Sequence, residues 1–130
     1  MNDPVCVLRD VVIAIHQILL AEHGGLLGIR DEALLDSALS RPEQRFSYSE
    51  KLSIFELAAS YSYGLVRNHP FVDGNKRVAF TIAAIFLEIN GYILDAPEAE
   101  TVVTFEQLAA GNLDEEYLAT WLQKSSIRNA

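Results

Sequence analysis

The stretch Asn75–Asn90 constrains the fold more than any other. Val78, Ala79, Phe80, Ile82, Ala83, Ala84, Ile85, Phe86, Leu87 and Ile89 leave it almost no polar side. A helix that is apolar nearly all round lies in the middle of a domain and must be covered by other elements. Its apolar run, like that of Val11–Leu20, is too short and too interrupted to cross a bilayer.

The covering elements also read as helices. Asp3-Pro4 has the form of an N-cap with proline at the first helical position. Leu8, Val11, Val12, Ile15, Ile18 and Leu19 follow at helical spacing, and His23-Gly24-Gly25 ends the run. Asp31 can cap a second helix carrying Leu34, Leu35, Ala38 and Leu39, which Pro42 is expected to stop. Residues 43–50 read as a polar surface loop or flap, with short strand pairing near Phe46–Tyr48. A third helix covers about Leu52–Arg67 and ends at Asn68-His69-Pro70. Gly91 stops the central helix, and Tyr92–Pro97 reads as a connector. Val102, Val103, Phe105, Leu108 and Ala109 mark a fifth helix, closed by Gly111-Asn112. Asp114 caps a sixth, with Tyr117, Leu118, Trp121 and Leu122 on its apolar side. The expectation is an all-α chain, one domain over residues 1–130, with about six helices around a central apolar one. A short β flap is added, and the tail from about residue 124 is expected to fray.

Composition bounds the function. With 50% hydrophobic and 22% charged residues in 130, the chain can bury a core unaided. The single cysteine, Cys6, rules out an internal disulfide and a cysteine-based metal site, and a reducing cytoplasmic setting fits. Asp3, Arg9 and Asp10 break the N-terminal apolar run, so no signal peptide is expected. A net charge of -8 argues against nucleic acid as a partner.

Against that acidity, Arg67, Lys76 and Arg77 gather beside one segment, His69-Pro70-Phe71-Val72-Asp73-Gly74-Asn75-Lys76-Arg77. They either form a solvated face or serve an anion. Asp73-Gly74 is a turn signal, and Asn75, Lys76 and Arg77 fall in the first turn of the central helix. Free N–H groups and a partial positive charge bind anions there. Cations at that position run against the usual preference for acids, a conflict a phosphate would relieve. Asp73 can be a cap or salt-bridge residue, or it can hold a magnesium ion bridging phosphates. His69 shares the segment with an acid, a glycine turn and two cations, which suits a proton acceptor. His16 and His23 have no such surroundings and read as structural. Phe71 and Val72 are expected to anchor the loop in the core. No Walker-type loop, paired-histidine zinc signature or Gly-x-Ser-x-Gly elbow is present.

Residues 69–77 match the Fic/Doc signature His-x-Phe-x-Asp/Glu-Gly/Ala-Asn-x-Arg, and the chain is similar to the Doc (death-on-curing) branch of toxin–antitoxin systems. Gly24-Gly25, Gly28-Ile29-Arg30-Asp31, Leu34-Leu35 and Ser37-Ala38-Leu39 resemble the N-terminal half of Doc-like toxins. Phe86-Leu87, Asn90-Gly91 and the closing helix with Trp121 resemble the C-terminal half. The resemblance implies a Fic/Doc-type helical bundle that modifies a protein hydroxyl from a nucleotide. Fic enzymes transfer AMP; Doc transfers a phosphate from ATP to a threonine of elongation factor Tu and stops translation. It further implies His69 as general base, Asp73 as magnesium ligand, and Gly74, Asn75, Lys76 and Arg77 as the anion-binding nest. Arg67 matches an arginine also found in Doc. Lys76 stands where AMP-transferring enzymes have glycine, and Phe80 where they have a second phosphate-binding arginine. Both departures favour phosphate transfer. Thr81, where Doc has asparagine, does not. The cofactors implied are ATP and Mg2+, and the partner is a small, partly disordered antitoxin. No Ser/Thr-x-x-x-Glu-Gly/Asn inhibitory helix is visible, which favours inhibition in trans. An AMP-transferase and a non-catalytic antitoxin-binding module are the alternatives.

Overall fold

The computed structural model describes residues 3–129. In chain order the elements are α1 (Arg9–His23), α2 (Glu32–Tyr48), α3 (Ile54–Asn68), α4 (Asn75–Ile89), β1 (Tyr92–Leu94), α5 (Glu98–Ala109), α6 (Glu115–Lys124) and β2 (Ser126–Arg128). The architecture is all-α, as the apolar pattern predicts, with one small antiparallel β pair. One continuous core runs from Val7 to Leu122. α4 sits inside it and shares the middle with α3, which packs on α2, α4 and α6. Among the described residues no helix is long and apolar enough to cross a membrane.

Local signals set most helix ends. Asp31 accepts from the Leu34 N–H and Asp114 from the Tyr117 N–H, so both act as N-caps. α3 starts with a reciprocal capping box of Ser53 and Glu56, a signature the sequence reading passed over.

Four expectations give way. α1 does not begin at Asp3-Pro4. Its N-cap is Leu8, which offers no side-chain bond. The segment before it is extended, because the Asn90 amide bonds both the N–H and the C=O of Val5, and the Tyr61 hydroxyl accepts from Val7 N–H. The buried face of α1 is consequently Val12, His16 and Leu20, while Leu8 and Ile18 are exposed. Second, α2 continues through Pro42 to Tyr48, so residues 43–48 form neither loop nor flap. An interior proline costs about 3 kcal/mol or more. Here Pro42 is buried, and Arg41 and Arg45 on either side of it both bond Glu115 of α6, at 2.5–2.6 Å. Third, strand pairing lies elsewhere. Tyr92–Leu94, read as connector, pairs with Ser126–Arg128 of the expected frayed tail. Fourth, Tyr117, Val102 and Val103 are exposed although placed on apolar faces; Phe105, Leu108, Leu118, Trp121 and Leu122 fill the core as expected.

α3 and α2 approach closely at Gly64 of α3. A Cβ there would lie 3.2 Å from Ala38 Cα and 3.3 Å from the Ala38 carbonyl oxygen. Backbone cannot yield as a side-chain tip does. Gly64→Ala is therefore expected to destabilise the protein by about 1–3 kcal/mol through overpacking, despite alanine's better helix propensity. Urea unfolding checks this; an unchanged or raised midpoint contradicts it.

Candidate active site

The loop between α3 and α4 holds the residues the sequence singles out. α3 ends at Asn68, and His69 takes the left-handed conformation at φ 49°, ψ 54°. It is the single non-glycine residue with positive φ among those described. Its amide still donates to the Leu65 carbonyl at 3.2 Å, and its side chain is exposed. Pro70 and Phe71 are buried, and the chain returns to the surface at Val72 and Asp73. Gly74, at φ 81°, then starts α4 with no side-chain cap.

That uncapped start leaves the first N–H groups of α4 available. Val78 N–H makes the first helical bond, to the Gly74 carbonyl at 3.0 Å. The amides of Asn75, Lys76 and Arg77 have no backbone partner among the described residues. The Lys76 and Arg77 side chains are exposed and take part in no ion pair among those residues. Three free amides with two cations make a positive helix start suited to an anion.

Side chains hold the loop in shape. Asn75 is 5% exposed, and its amide accepts from Phe71 N–H at 3.0 Å and donates to Phe71 C=O at 2.9 Å. Its side chain is thus spent on the loop, and its backbone N–H is what remains for a ligand. Phe71 is fully buried and stacks on His16, ring centroids 3.9 Å apart at 12°. His16 Nε2–H donates to the Asp73 carbonyl at 2.9 Å. The structural reading of His16 agrees with this. Val72, expected to anchor the loop with Phe71, is instead 43% exposed; of the two, Phe71 is the buried one.

Asp73 faces the glycine-rich loop 24–28. Its Oδ2 accepts from Leu26 N–H at 3.2 Å and its Oδ1 from Gly74 N–H at 2.9 Å. Each oxygen keeps a lone pair, and the residue is exposed. No cluster of three or more His, Cys, Asp or Glu suited to a metal exists among the described residues. One exposed carboxylate fits magnesium in its usual mode, where substrate phosphates and water complete the shell.

The remaining residues fall outside this arrangement or beside it. The Arg67 guanidinium lies over the Tyr63 ring, 5.6 Å from its centroid and one turn back along α3. Thr81 Oγ1 donates to the Arg77 carbonyl, which keeps that hydroxyl on its own helix. Phe80 packs edge-on to Phe105 of α5, at 5.5 Å. His23 is exposed near Glu22. Cys6 sits beside Tyr61 and Glu43, and burial, with the Glu43 charge second, pushes its thiol up.

Sequence reasoning missed how the loop is clamped from outside. Ile29 bridges to Phe71, Val72 N–H donates to Gly28 C=O, and Arg30 bonds the end of α3. Glycines permit this approach. Gly25, at φ +125°, would place a Cβ 2.8 Å from Asp73 Oδ2 and 2.9 Å from Leu20 Cδ2. Gly25→Ala is expected to lose about 2 kcal/mol from backbone strain and to push the Asp73 carboxylate from its seat. A thermal melt and the Leu26 amide NMR signal check the two effects; if neither moves, the packing argument fails.

A family model described as Fic/DOC family matches residues 6–87. Among curated relatives, the chain is 36% identical over 90 residues to "Protein kinase doc" of Escherichia phage P1, covering 68% of this chain and 71% of that protein. It is 43% identical over 74 residues to "Toxin Doc" of Mycolicibacterium smegmatis, covering 56% of this chain and 57% of that one.

Proposed function

Because the chain belongs to the Fic/DOC family, we propose that it is the toxin of a toxin–antitoxin pair and a protein kinase of the Doc type. It transfers the terminal phosphate of ATP to a protein hydroxyl, with a threonine of elongation factor Tu as the expected acceptor. Translation in the cytoplasm stops as a result. A small, partly disordered antitoxin neutralises it. Residues 1–130 act as one domain in this reading.

The observation that carries it is the pairing, in one loop, of an exposed histidine at the end of α3 with an uncapped cationic start of α4. Phosphoryl transfer passes through a loose transition state, so positioning and charge neutralisation do most of the work. The amides of Asn75, Lys76 and Arg77 and the two cationic side chains meet the phosphate oxygens. Gly74 lets the backbone turn close to them, and Arg67 serves the nucleotide from the last turn of α3. His69 takes the proton of the acceptor hydroxyl. The hydroxyl oxygen bonds the terminal phosphorus, the bond to the bridging oxygen breaks, and ADP leaves. Asp73 is the residue that would hold magnesium, which when bound neutralises charge on the phosphates. Phe80, spent on packing against Phe105, supports phosphate over AMP transfer, since it stands at the position of the second arginine.

The test is to incubate the protein with ATP, magnesium and elongation factor Tu and to weigh the factor intact. A phosphate-sized gain is expected. An AMP-sized gain replaces the kinase with an AMP-transferase. No gain, with toxicity unchanged by loss of His69, leaves an antitoxin-binding module.

A further inference from the structure

The imidazole of His69 projects from a backbone conformation that L residues seldom adopt, at φ 49°. Such a conformation persists where its surroundings over-determine it. Those surroundings come from residues 28–31. Arg30 Nε donates to the His69 carbonyl at 2.7 Å, and Arg30 Nη2 to the Asn68 carbonyl at 2.9 Å. The backbone N–H groups of Arg30 and Asp31 both donate to the Pro70 carbonyl, at 2.6 and 3.1 Å. Three consecutive carbonyls, 68 to 70, are thus held from one segment far away in sequence. Helix ends leave carbonyls without partners and carry partial negative charge. A guanidinium meets two of them at once because its donors form a rigid fork, which an ammonium cannot copy.

We propose that Arg30 is a positioning residue for His69. By clamping the Asn68 and His69 carbonyls it sets the left-handed turn and so the direction of the imidazole. Arg30 touches no reacting atom in this arrangement; it acts through the backbone of the base. The idea rests on His69 being the base in the reading above, but its structural half can be measured without any activity.

The chain has three histidines, so the imidazole Cε1–H region of an NMR spectrum carries three signals, assignable by single substitution. In Arg30→Ala at fixed pH the His69 signal and the His69 backbone amide are expected to shift or broaden. The His23 signal stays in place, and circular dichroism stays helical. With ATP and elongation factor Tu, kcat falls about 10- to 100-fold, and KM for ATP changes little. Arg30→Lys, which keeps the charge and loses the fork, shows the same His69 shift with partial activity. If Arg30→Ala does not fold, Arg30→Lys decides alone. A His69 signal unmoved in a folded variant overturns the proposal, as does a loss confined to stability. Absence of transfer by the wild-type protein sinks the kinase reading only, since the NMR comparison still decides whether Arg30 orients His69.

Discussion

His69→Asn is expected to give a folded protein whose phosphate transfer is slower by about 10²- to 10⁴-fold, the usual contribution of a general base. That range corresponds to about 3–5 kcal/mol on the barrier. Asparagine is the informative replacement because it tolerates the left-handed region that His69 occupies. Alanine there would add backbone strain and mix a structural loss into the kinetic one. The Arg30 bonds go to backbone carbonyls, so they survive the change, and the helix start at Gly74 is untouched. Nucleotide affinity is therefore expected to hold while kcat collapses. Single-turnover rates with a titration of ATP binding check both halves. A rate within a few fold of wild type would remove His69 from the chemistry.

Phe71→Ala is the substitution with the largest expected effect on stability. The side chain is fully buried, stacks on His16 and is the largest buried side chain of the loop. Truncating such a ring costs about 3–5 kcal/mol, a large share of the roughly 5–15 kcal/mol that holds a domain folded. His16 loses its stacking partner at the same time, and with it the seat of its bond to the Asp73 carbonyl. Activity should fall with stability. Val72→Ala, next in the chain but 43% exposed, supplies the control and should stay within about 0.5 kcal/mol. Urea midpoints of the two variants check the contrast. Equal midpoints would show that the loop is not anchored through Phe71.

Much of this molecule was legible in the order of its residues. Asp31 and Asp114 cap helices because a carboxylate three residues ahead of an amide reaches it wherever the chain sits. The apolar run 78–89 is buried along the face carrying Val78, Ala79, Ile82, Ala83, Phe86 and Leu87 for want of any other place to go. The segment 69–77 placed a helix start at Asn75 after a Gly74 turn, and α4 begins there, uncapped. All these signals act within one or two turns of chain.

What the sequence did not disclose depends on partners far off. Pro42 should have ended α2, but Glu115, 74 residues from Arg41, ties down both flanking arginines. Asp3-Pro4 should have begun α1, but Asn90, 85 residues from Val5, ties that segment down outside the helix. Asn75 read as a nest residue, and its amide turned out to be the brace that shapes the loop. A cap preference is worth about 1 kcal/mol and an interior proline costs about 3 kcal/mol, so it takes several distant bonds together, charge-assisted ones at Pro42, to override them. The pattern of residues decided that there would be helices, a cationic helix start and a histidine beside it. Only the tertiary structure decided which side chains hold that histidine in place, because a backbone carbonyl accepts from whichever donor the fold brings near. Here that donor is Arg30, 39 residues away.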